Sequence, residues 1–449
     1  MKISVIGLGK LGAPLAAVMA SKGHEVVGLD LNGTFVELIN KGIAPVQEPQ
    51  LQERIDASEG RLRATGDYAD AVANSDISMV IVPTPSDRFG VFSNDYVLAS
   101  MDEIGRALRQ KTSYHVVVIT STVMPGATNG VIRERLERAS GRKVGIDLGL
   151  CYNPEFIALG TVVRNMLYPD MILLGESDAR AGDMLEQVYR GSCENSPPVQ
   201  RMNLVNAEVV KISVNTYVTT KISYANMLAE ICERLPGADV DVVTDALGKD
   251  TRIGGKYLKG AVGYGGPCFP RDNVAFSVLA ESLGVSPDIA IGTDTINRRQ
   301  AQRLAQIVRA NAANAKTVAI LGLSYKPGTP VIEESQAITL ASALLEQGVR
   351  VLIWDALALA PAQAVLQGAE AATSAVDAVS SADAVVVMTS EAEFANLPRY
   401  AFERPGDAPL TVIDCWRALD AKSLPANVML IYPGQGPNQG VEGRAVAAA

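Results

Sequence analysis

Short apolar runs alternate along the chain with longer stretches whose apolar residues return every three or four positions. The first run, Lys2 to Ile6, predicts a strand; a glycine turn follows, then a helix from Leu11 to Lys22. HEVVGLD predicts a second strand ending at Asp30, and SMVIVPT (78–84) and HVVVITST (115–122) predict two more, buried on both faces. Strands alternating with helical patterns form right-handed βαβ units, so this part reads as a doubly wound parallel sheet. The rhythm returns near the C-terminus. KTVAILGLSYK (316–326) predicts a strand and glycine turn, VRVLIWD (349–355) a strand ending in Asp, and ADAVVVMTS (382–390) and LTVIDCW (410–416) further buried strands. Only Gly322 stands in this second turn, so the copy is not expected to hold a dinucleotide as the first would.

Residues 205–234 contain neither Gly nor Pro, and their apolar residues recur at helical spacing (Val210, Val214, Val218; Ile222, Ala225, Leu228, Ile231). They predict one helix of roughly 30 residues, about 45 Å long at ~1.5 Å per residue. The predicted fold class is α/β, with two doubly wound Rossmann-like domains joined by a long central helix. The segments are 1–196, 197–300 and 301–449, with Pro197-Pro198 as the first linker. Residues after Pro433, rich in Gly, Gln and Ala, are expected to be loose.

At 449 residues, 48% hydrophobic and 20% charged, the chain can build large cores and is not of disordered composition. Its 40 Lys and Arg against 49 Asp and Glu leave a net charge of −9, without a basic run. That argues against nucleic acid or an anionic membrane as partner, while a small anion can still be held by backbone amides. No apolar stretch reaches the ~18 residues of a membrane span, and the N-terminus has no cleavage-site pattern. Cysteines 151, 193, 232, 268 and 415 are odd in number and never spaced as CxxC; the histidines are His24 and His115. No disulfide scaffold and no metal site is expected, and a reducing, cytoplasmic setting is.

Gly7-Leu8-Gly9-Lys10-Leu11-Gly12 follows a strand and opens a helix. Gly7 permits the tight turn, Gly9 admits a pyrophosphate to the backbone, and Gly12 allows close packing of helix on strand. Asp30 would accept hydrogen bonds from the adenosine ribose. Its charge, and the absence of Lys or Arg among Leu31, Asn32 and Gly33, favour NAD over NADP. A second candidate is a thiol. The six glycines between Gly254 and Gly266 lead into Pro267-Cys268-Phe269-Pro270-Arg271-Asp272, and a helical pattern follows over 273–284. Cys268, near a helix N-terminus and beside Arg271, is where a thiolate is favoured. Cys151, Cys193 and Cys232 read as small buried hydrophobes, and Cys415 is open to either reading. Lys211 and Asn215 share a helix face; their spacing fits a solvated patch as well as an oxyanion-stabilising pair.

GLGKLG, VPTP (82–85), STVMPGAT (121–128), NPEF (153–156), the Lys211–Asn215 helix, GYGGPCFPRD (263–272) and GLSYKPGT (322–329) stand in this order. On these blocks the chain resembles the UDP-glucose/GDP-mannose dehydrogenase family over nearly its whole length. The resemblance implies NAD-dependent four-electron oxidation of a nucleotide-sugar primary alcohol to the carboxylate, through a thiohemiacetal and thioester on Cys268. It makes Lys211 and Asn215 oxyanion stabilisers, Asp272 and Thr122 groups for water and protons, and Glu155 the carboxylate of hydrolysis. Gly7, Gly9, Lys10, Leu11, Gly12, Asp30, Pro83, Thr84, Ser121, Thr122 and Arg271 would hold NAD. Glu155, Phe156, Lys211, Asn215, Arg252, Tyr257, Lys259, Gly265, Lys326 and Arg417 would meet the nucleotide sugar. The chain would form a homodimer, with Arg252 reaching the neighbouring subunit's substrate. UDP-glucose is the first expectation, with GDP-mannose or a UDP-N-acetylhexosamine as alternatives.

Three positions depart from the family pattern: Leu159 replaces a second Glu, Glu333 an Arg ahead of Glu334-Ser335, and Arg271 a Lys. Two other readings compete. A two-electron dehydrogenase of hydroxyacid type would leave Cys268 structural, and an NAD-binding scaffold would have no chemistry.

Overall fold

The computed structural model describes residues 1–157 and 160–437. Contacts divide the chain into two units, Met1–Val214 and one beginning at Asn215. The first is built on eight strands: β1 (Lys2–Ile6), β2 (Glu25–Leu29), β3 (Leu62–Thr65), β4 (Ile77–Val80), β5 (His115–Ile119), β6 (Leu148–Tyr152), β7 (Ile172–Glu176) and β8 (Val199–Asn203). They lie in the order β3-β2-β1-β4-β5-β6-β7-β8. Strands such as HVVVI are buried at every residue because helices cover both faces of the sheet, which is why they read as unbroken apolar runs. The helix Gly12–Ser21 is buried from Gly12 to Ala20, its small Ala residues letting it lie close on the sheet.

The sheet is not parallel throughout, as the sequence reading had it. β7 pairs antiparallel to β6, with Cys151 opposite Glu176 and Tyr152 opposite Gly175, and β8 then runs parallel to β7. Pro197-Pro198 lead directly into β8. At the end of the first sheet remote from the glycine turn lies a buried polar chain. Lys111 Nζ meets His115 Nδ1 at 3.1 Å, His115 Nε2 meets Ser78 at 2.8 Å, and Ser78 meets Ser4 at 2.7 Å. Since the ammonium donates to Nδ1, the imidazole hydrogen sits on Nε2.

The second unit holds a parallel sheet of β9 (Thr317–Leu321), β10 (Arg350–Trp354), β11 (Glu370–Ala371), β12 (Ala384–Val387), β13 (Leu410–Asp414) and β14 (Val428–Ile431). Its order, β11-β10-β9-β12-β13-β14, repeats that of the first six strands of the other sheet. In such sheets ligands bind beyond the carboxyl ends of the strands, where the order reverses, here at β1/β4 and β9/β12. The long helix spans Leu204–Cys232, 29 residues without a break, as predicted.

The tail is packed where it was expected to be loose, as far as it is described. Gly434 donates to Glu233 at 2.8 Å, Val240 donates to the Gly434 carbonyl at 2.9 Å, and Gly237 to that of Pro437 at 2.9 Å. Glycine is needed here: a Cβ on Gly436 would stand 1.9 Å from the Leu235 carbonyl oxygen. The tail beyond residue 437 and the departure at Leu159 lie outside the described residues.

Candidate functional site

The carboxyl ends of β1, β4, β5 and β6 carry the candidate residues of the first unit. Gly7 turns at φ 98, and a Cβ there would meet the Ile81 carbonyl oxygen at 2.5 Å. A Cβ on Gly12 would stand 1.8 Å from the Gly7 carbonyl oxygen, whereas above Gly9 nothing lies within 4 Å. The turn is therefore closed where packing needs it and open where a pyrophosphate would approach. Lys10 is exposed at the start of the helix, with Leu11 half-buried behind it. Asp30 is half-exposed at the end of β2 and accepts from Leu8 N at 2.7 Å and Asn32 N at 2.8 Å, so the acid is fastened to the turn with acceptor capacity to spare. Beyond it opens a cavity of about 540 Å³ lined in part by Leu31, Tyr68, Glu103 and Arg106, none of which the sequence singled out.

The loops after β4 and β5 are pinned together. Ser121 Oγ accepts from Val82 N at 2.9 Å and donates to the Val82 carbonyl at 2.6 Å, and the Thr84 hydroxyl donates to the Thr122 carbonyl at 2.7 Å. Pro83 is exposed between them. Glu208, buried on the long helix, accepts from Gly126 N at 2.6 Å and Thr128 N at 2.8 Å, holding the far end of the Thr122 loop. Burial nevertheless pushes its carboxyl upward.

After β6 comes Glu155. Lys211 donates to the Glu155 carbonyl at 2.6 Å and lies 4.8 Å above the Phe156 ring. The Glu155 carboxyl is pushed up to about 7: surrounding protein desolvates it more strongly than the Lys211 charge and the Tyr189 hydroxyl lower it.

In the second unit, the thiol's helix begins earlier than the pattern suggested, at Phe269, because a proline is tolerated in a first turn. Cys268 is thus the residue at its N-cap, and exposed. Asp272 is buried and fixed from three sides. Its N–H donates to the Cys268 carbonyl at 2.8 Å, Asn215 donates to Oδ2 at 2.6 Å, and Arg271 Nε lies 3.3 Å from Oδ1. The approach to Cys268 is clamped as well. Asn297 Oδ1 accepts from Tyr264 N at 2.7 Å, and its amide donates back to the Tyr264 carbonyl at 3.0 Å. A Cβ on Gly265 would meet the Glu334 carbonyl oxygen at 2.2 Å, and one on Gly266 the Tyr325 ring at 2.5 Å. Burial, then Cys268 and Tyr257, push the Tyr325 phenol up to about 12.

Tyr257 turns at φ 61 with its ring edge-on to Phe269 at 6.2 Å. Arg252 is exposed and paired with Asp250 at 2.6 Å, and Lys259 is exposed nearby. Lys326 lies 5.8 Å above the Tyr325 ring. Arg417, just past β13 at φ 54, reaches Asp241 at 2.6 Å and stacks 5.1 Å over Tyr432. Glu333, the departure from the family pattern, uses its carbonyl to accept from Gly266 N at 2.9 Å.

The five cysteines form no disulfide. Cys151, Cys232 and Cys415 are buried and Cys193 half-buried; burial pushes Cys193 up to about 11 and Cys415 up to about 12, against thiolate formation at either. Among the described residues no group of three or more His, Cys, Asp or Glu could hold a metal ion, and no helix is long and apolar enough to cross a membrane.

A glycine turn at a switch point with an acid fastened to it, and a second Rossmann-like sheet, define a dinucleotide-binding protein with two Rossmann-like sheets. Residues 1–192 match the NAD binding domain of the UDP-glucose/GDP-mannose dehydrogenase family, 205–299 its central domain and 319–421 its UDP binding domain. The chain belongs to the UDP-glucose/GDP-mannose dehydrogenase family, and its cofactor is NAD. It is 38% identical to a UDP-glucose 6-dehydrogenase of Haloferax volcanii, over 88% of this chain and 93% of that one. It is 36% identical to a GDP-mannose 6-dehydrogenase of Pseudomonas syringae, over 79% and 81% respectively. The structure of a UDP-glucose dehydrogenase from Pyrobaculum islandicum superposes with a TM-score of 0.84 at 31% identity, covering 94% of this chain and 98% of that one.

Proposed function

We propose that the chain oxidises the C6 alcohol of a nucleotide sugar to the carboxylate in two steps, most simply UDP-glucose to UDP-glucuronate. One observation carries this reading: an exposed cysteine at the head of a helix, beside a buried Asp272 held by Asn215. NAD, when bound at the Gly7–Gly12 turn and Asp30, supplies the hydride acceptor for both oxidations. Lys10, Leu11, Pro83, Thr84, Ser121, Thr122 and Arg271 complete its proposed surroundings.

In the reading proposed, the Cys268 thiolate adds to the aldehyde carbon, and the Lys211 ammonium and Asn215 amide stabilise the alkoxide of the resulting thiohemiacetal. Once oxidised, this adduct is a thioester. Water attacks its carbonyl, the thiolate leaves, and Glu155, Asp272 and Thr122 carry the protons released. Overall, one alcohol, two oxidants and one water give one carboxylate, two reduced cofactors and three protons. Phe156, Arg252, Tyr257, Lys259, Gly265, Lys326 and Arg417 would orient the nucleotide sugar. We keep 1–196, 197–300 and 301–449 as the NAD, central and nucleotide-sugar segments.

The Haloferax and Pyrobaculum relatives support UDP-glucose; the Pseudomonas relatives support GDP-mannose as the second reading. A homodimer is supported by Tyr217, Tyr224 and Ile231, spaced by seven on the long helix and exposed by 65%, 47% and 47%, and Arg252 would act across it. The thiol chemistry suits the reducing cytoplasm. The test is NADH yield across UDP-glucose, GDP-mannose and UDP-N-acetylhexosamines. Two NADH per UDP-glucose are expected; one NADH with a free aldehyde or ketone sinks the four-electron reading.

A further inference from the structure

Glu155 has a neighbour that the proposed chemistry leaves unused. Its Oε1 lies 3.4 Å from the Tyr189 hydroxyl, and the same hydroxyl meets Asn153 Oδ1. Asn153 Nδ2 donates to the Leu173 carbonyl at 2.9 Å, an acceptor-only partner, so the amide is oriented with Oδ1 toward Tyr189. A phenol has one hydrogen to give. While Tyr189 gives it to Asn153, the phenol oxygen turns lone pairs toward Glu155, and a carboxyl is accommodated there only with its proton on. If Glu155 ionises, the hydrogen is drawn to the carboxylate, and Asn153 Oδ1, on a residue 3% exposed, gives up its donor.

We propose that Tyr189 is a positioning residue whose hydroxyl hydrogen turns between Asn153 and Glu155, letting Glu155 hold a proton in one setting and release it in the other. The proposal deepens the hydrolytic role assigned to Glu155 above and rests on it. In the exchange one proton passes from Glu155 Oε1 to a water molecule, and the phenol O–H bond stays intact and rotates.

The groups facing Glu155 are consistent with this. Tyr189 and Cys193 approach from the Ala179–Ser192 helix and its end, and Lys211 from the long helix. Burial first, and then Glu155 and Cys193, raise the Tyr189 phenol well above its ordinary value, so it keeps its hydrogen and can only redirect it. Cys193, pushed up to about 11 by burial and by Glu155, stays a neutral thiol.

The test is an infrared titration of the full-length protein, with Glu155→Gln identifying the Glu155 carboxyl band. Tyr189→Phe removes a donor to the carboxylate and is expected to raise the midpoint by about one pH unit. Asn153→Leu leaves the Tyr189 hydrogen with Glu155 alone and is expected to lower it by a similar amount. Shifts of opposite sign are not produced by a purely structural role. Midpoints that stay put, or move together, overturn the proposal, and if one variant fails to fold the sign of the other decides. The acid limb of kcat should follow the infrared midpoints while KM stays constant. If the opposite shifts appear but Glu155→Gln still turns over many sugars per active site and releases the free carboxylate, Tyr189 keeps its assignment and the hydrolytic role of Glu155 falls.

Discussion

Asp30 and Asp355 occupy the same place in two sheets of the same strand order, each just past the second strand and below a glycine turn with positive φ. Asp30 takes two backbone N–H groups and remains half-exposed. Asp355 takes those of Leu323 (2.8 Å), Ser324 (3.3 Å), Leu357 (2.8 Å) and Ala358 (2.7 Å), and is 2% exposed. The turn differs too. In the first sheet the helix starts at Gly12, five residues after Gly7; in the second, the chain runs from Gly322 to Ser335 before the next helix. A strand, a glycine and an acid thus leave an open carboxylate, the proposed ribose acceptor, in one domain and make a structural bolt in the other. What separates them is whether the loop amides use up the carboxylate.

The comparison is broken most directly at the bolt. Asp355→Ala orphans four amide donors and is expected to cost the second domain about 3–5 kcal/mol in denaturant unfolding, with NAD affinity of any folded fraction unchanged. A loss under 1 kcal/mol would mean the carboxylate is not structural.

Acid sharpens the contrast from the other side, because both histidines lie in the first unit. Burial, then the nearby Lys111 and Arg142 charges, lower His115 to about 3, and burial lowers His24 as well. The unfolded histidines therefore take up protons from about pH 6.5 downward while native His115 refuses one. The stability contributed by neutral His115 is complete above that pH and lost as pH falls toward 3. Between pH 6.5 and 4.5 the first unit should lose about 2 kcal/mol through His115. His115→Gln should flatten that slope in urea midpoints, and an unaltered slope would remove His115 as its source.

The smallest effect is expected at the open acid. Asp30→Ala should weaken NAD binding by about 1–2 kcal/mol, roughly tenfold, with little change in melting temperature. Unchanged affinity by calorimetry would deny Asp30 its ribose role.

The strands, the glycine turn, Asp30 and the uninterrupted helix were legible because each is written in local periodicity or in a run of neighbouring residues. The reversal of β7 was not, since the direction of a short apolar run leaves no mark in its composition. The closure of Asp355 depends on amides over thirty residues upstream, and Tyr189 meets Glu155 across 34 positions. Glu208, three residues before Lys211, looks like an exposed helix acid until the Thr128 loop is folded onto it. Cys268 was legible as a candidate through its glycines and prolines, but the start of its helix was misplaced because Pro270 reads as a breaker in sequence and serves as a first-turn residue in the fold.

The bond from Gly434 to Glu233 joins residues 201 apart in the chain. Glu233 also receives Arg303, so the end of the long helix is stapled by groups from two later stretches of sequence. A ribosome delivers the helix long before it delivers Gly434, and closing so long a loop is slow. During synthesis Arg303 reaches Glu233 before the second sheet exists, and only the bond from Gly434 must wait until that sheet is complete. Chains cut just before residue 433 would lack the bonds of Gly434 to Glu233 and Val240 and keep that helix end held by Arg303 alone.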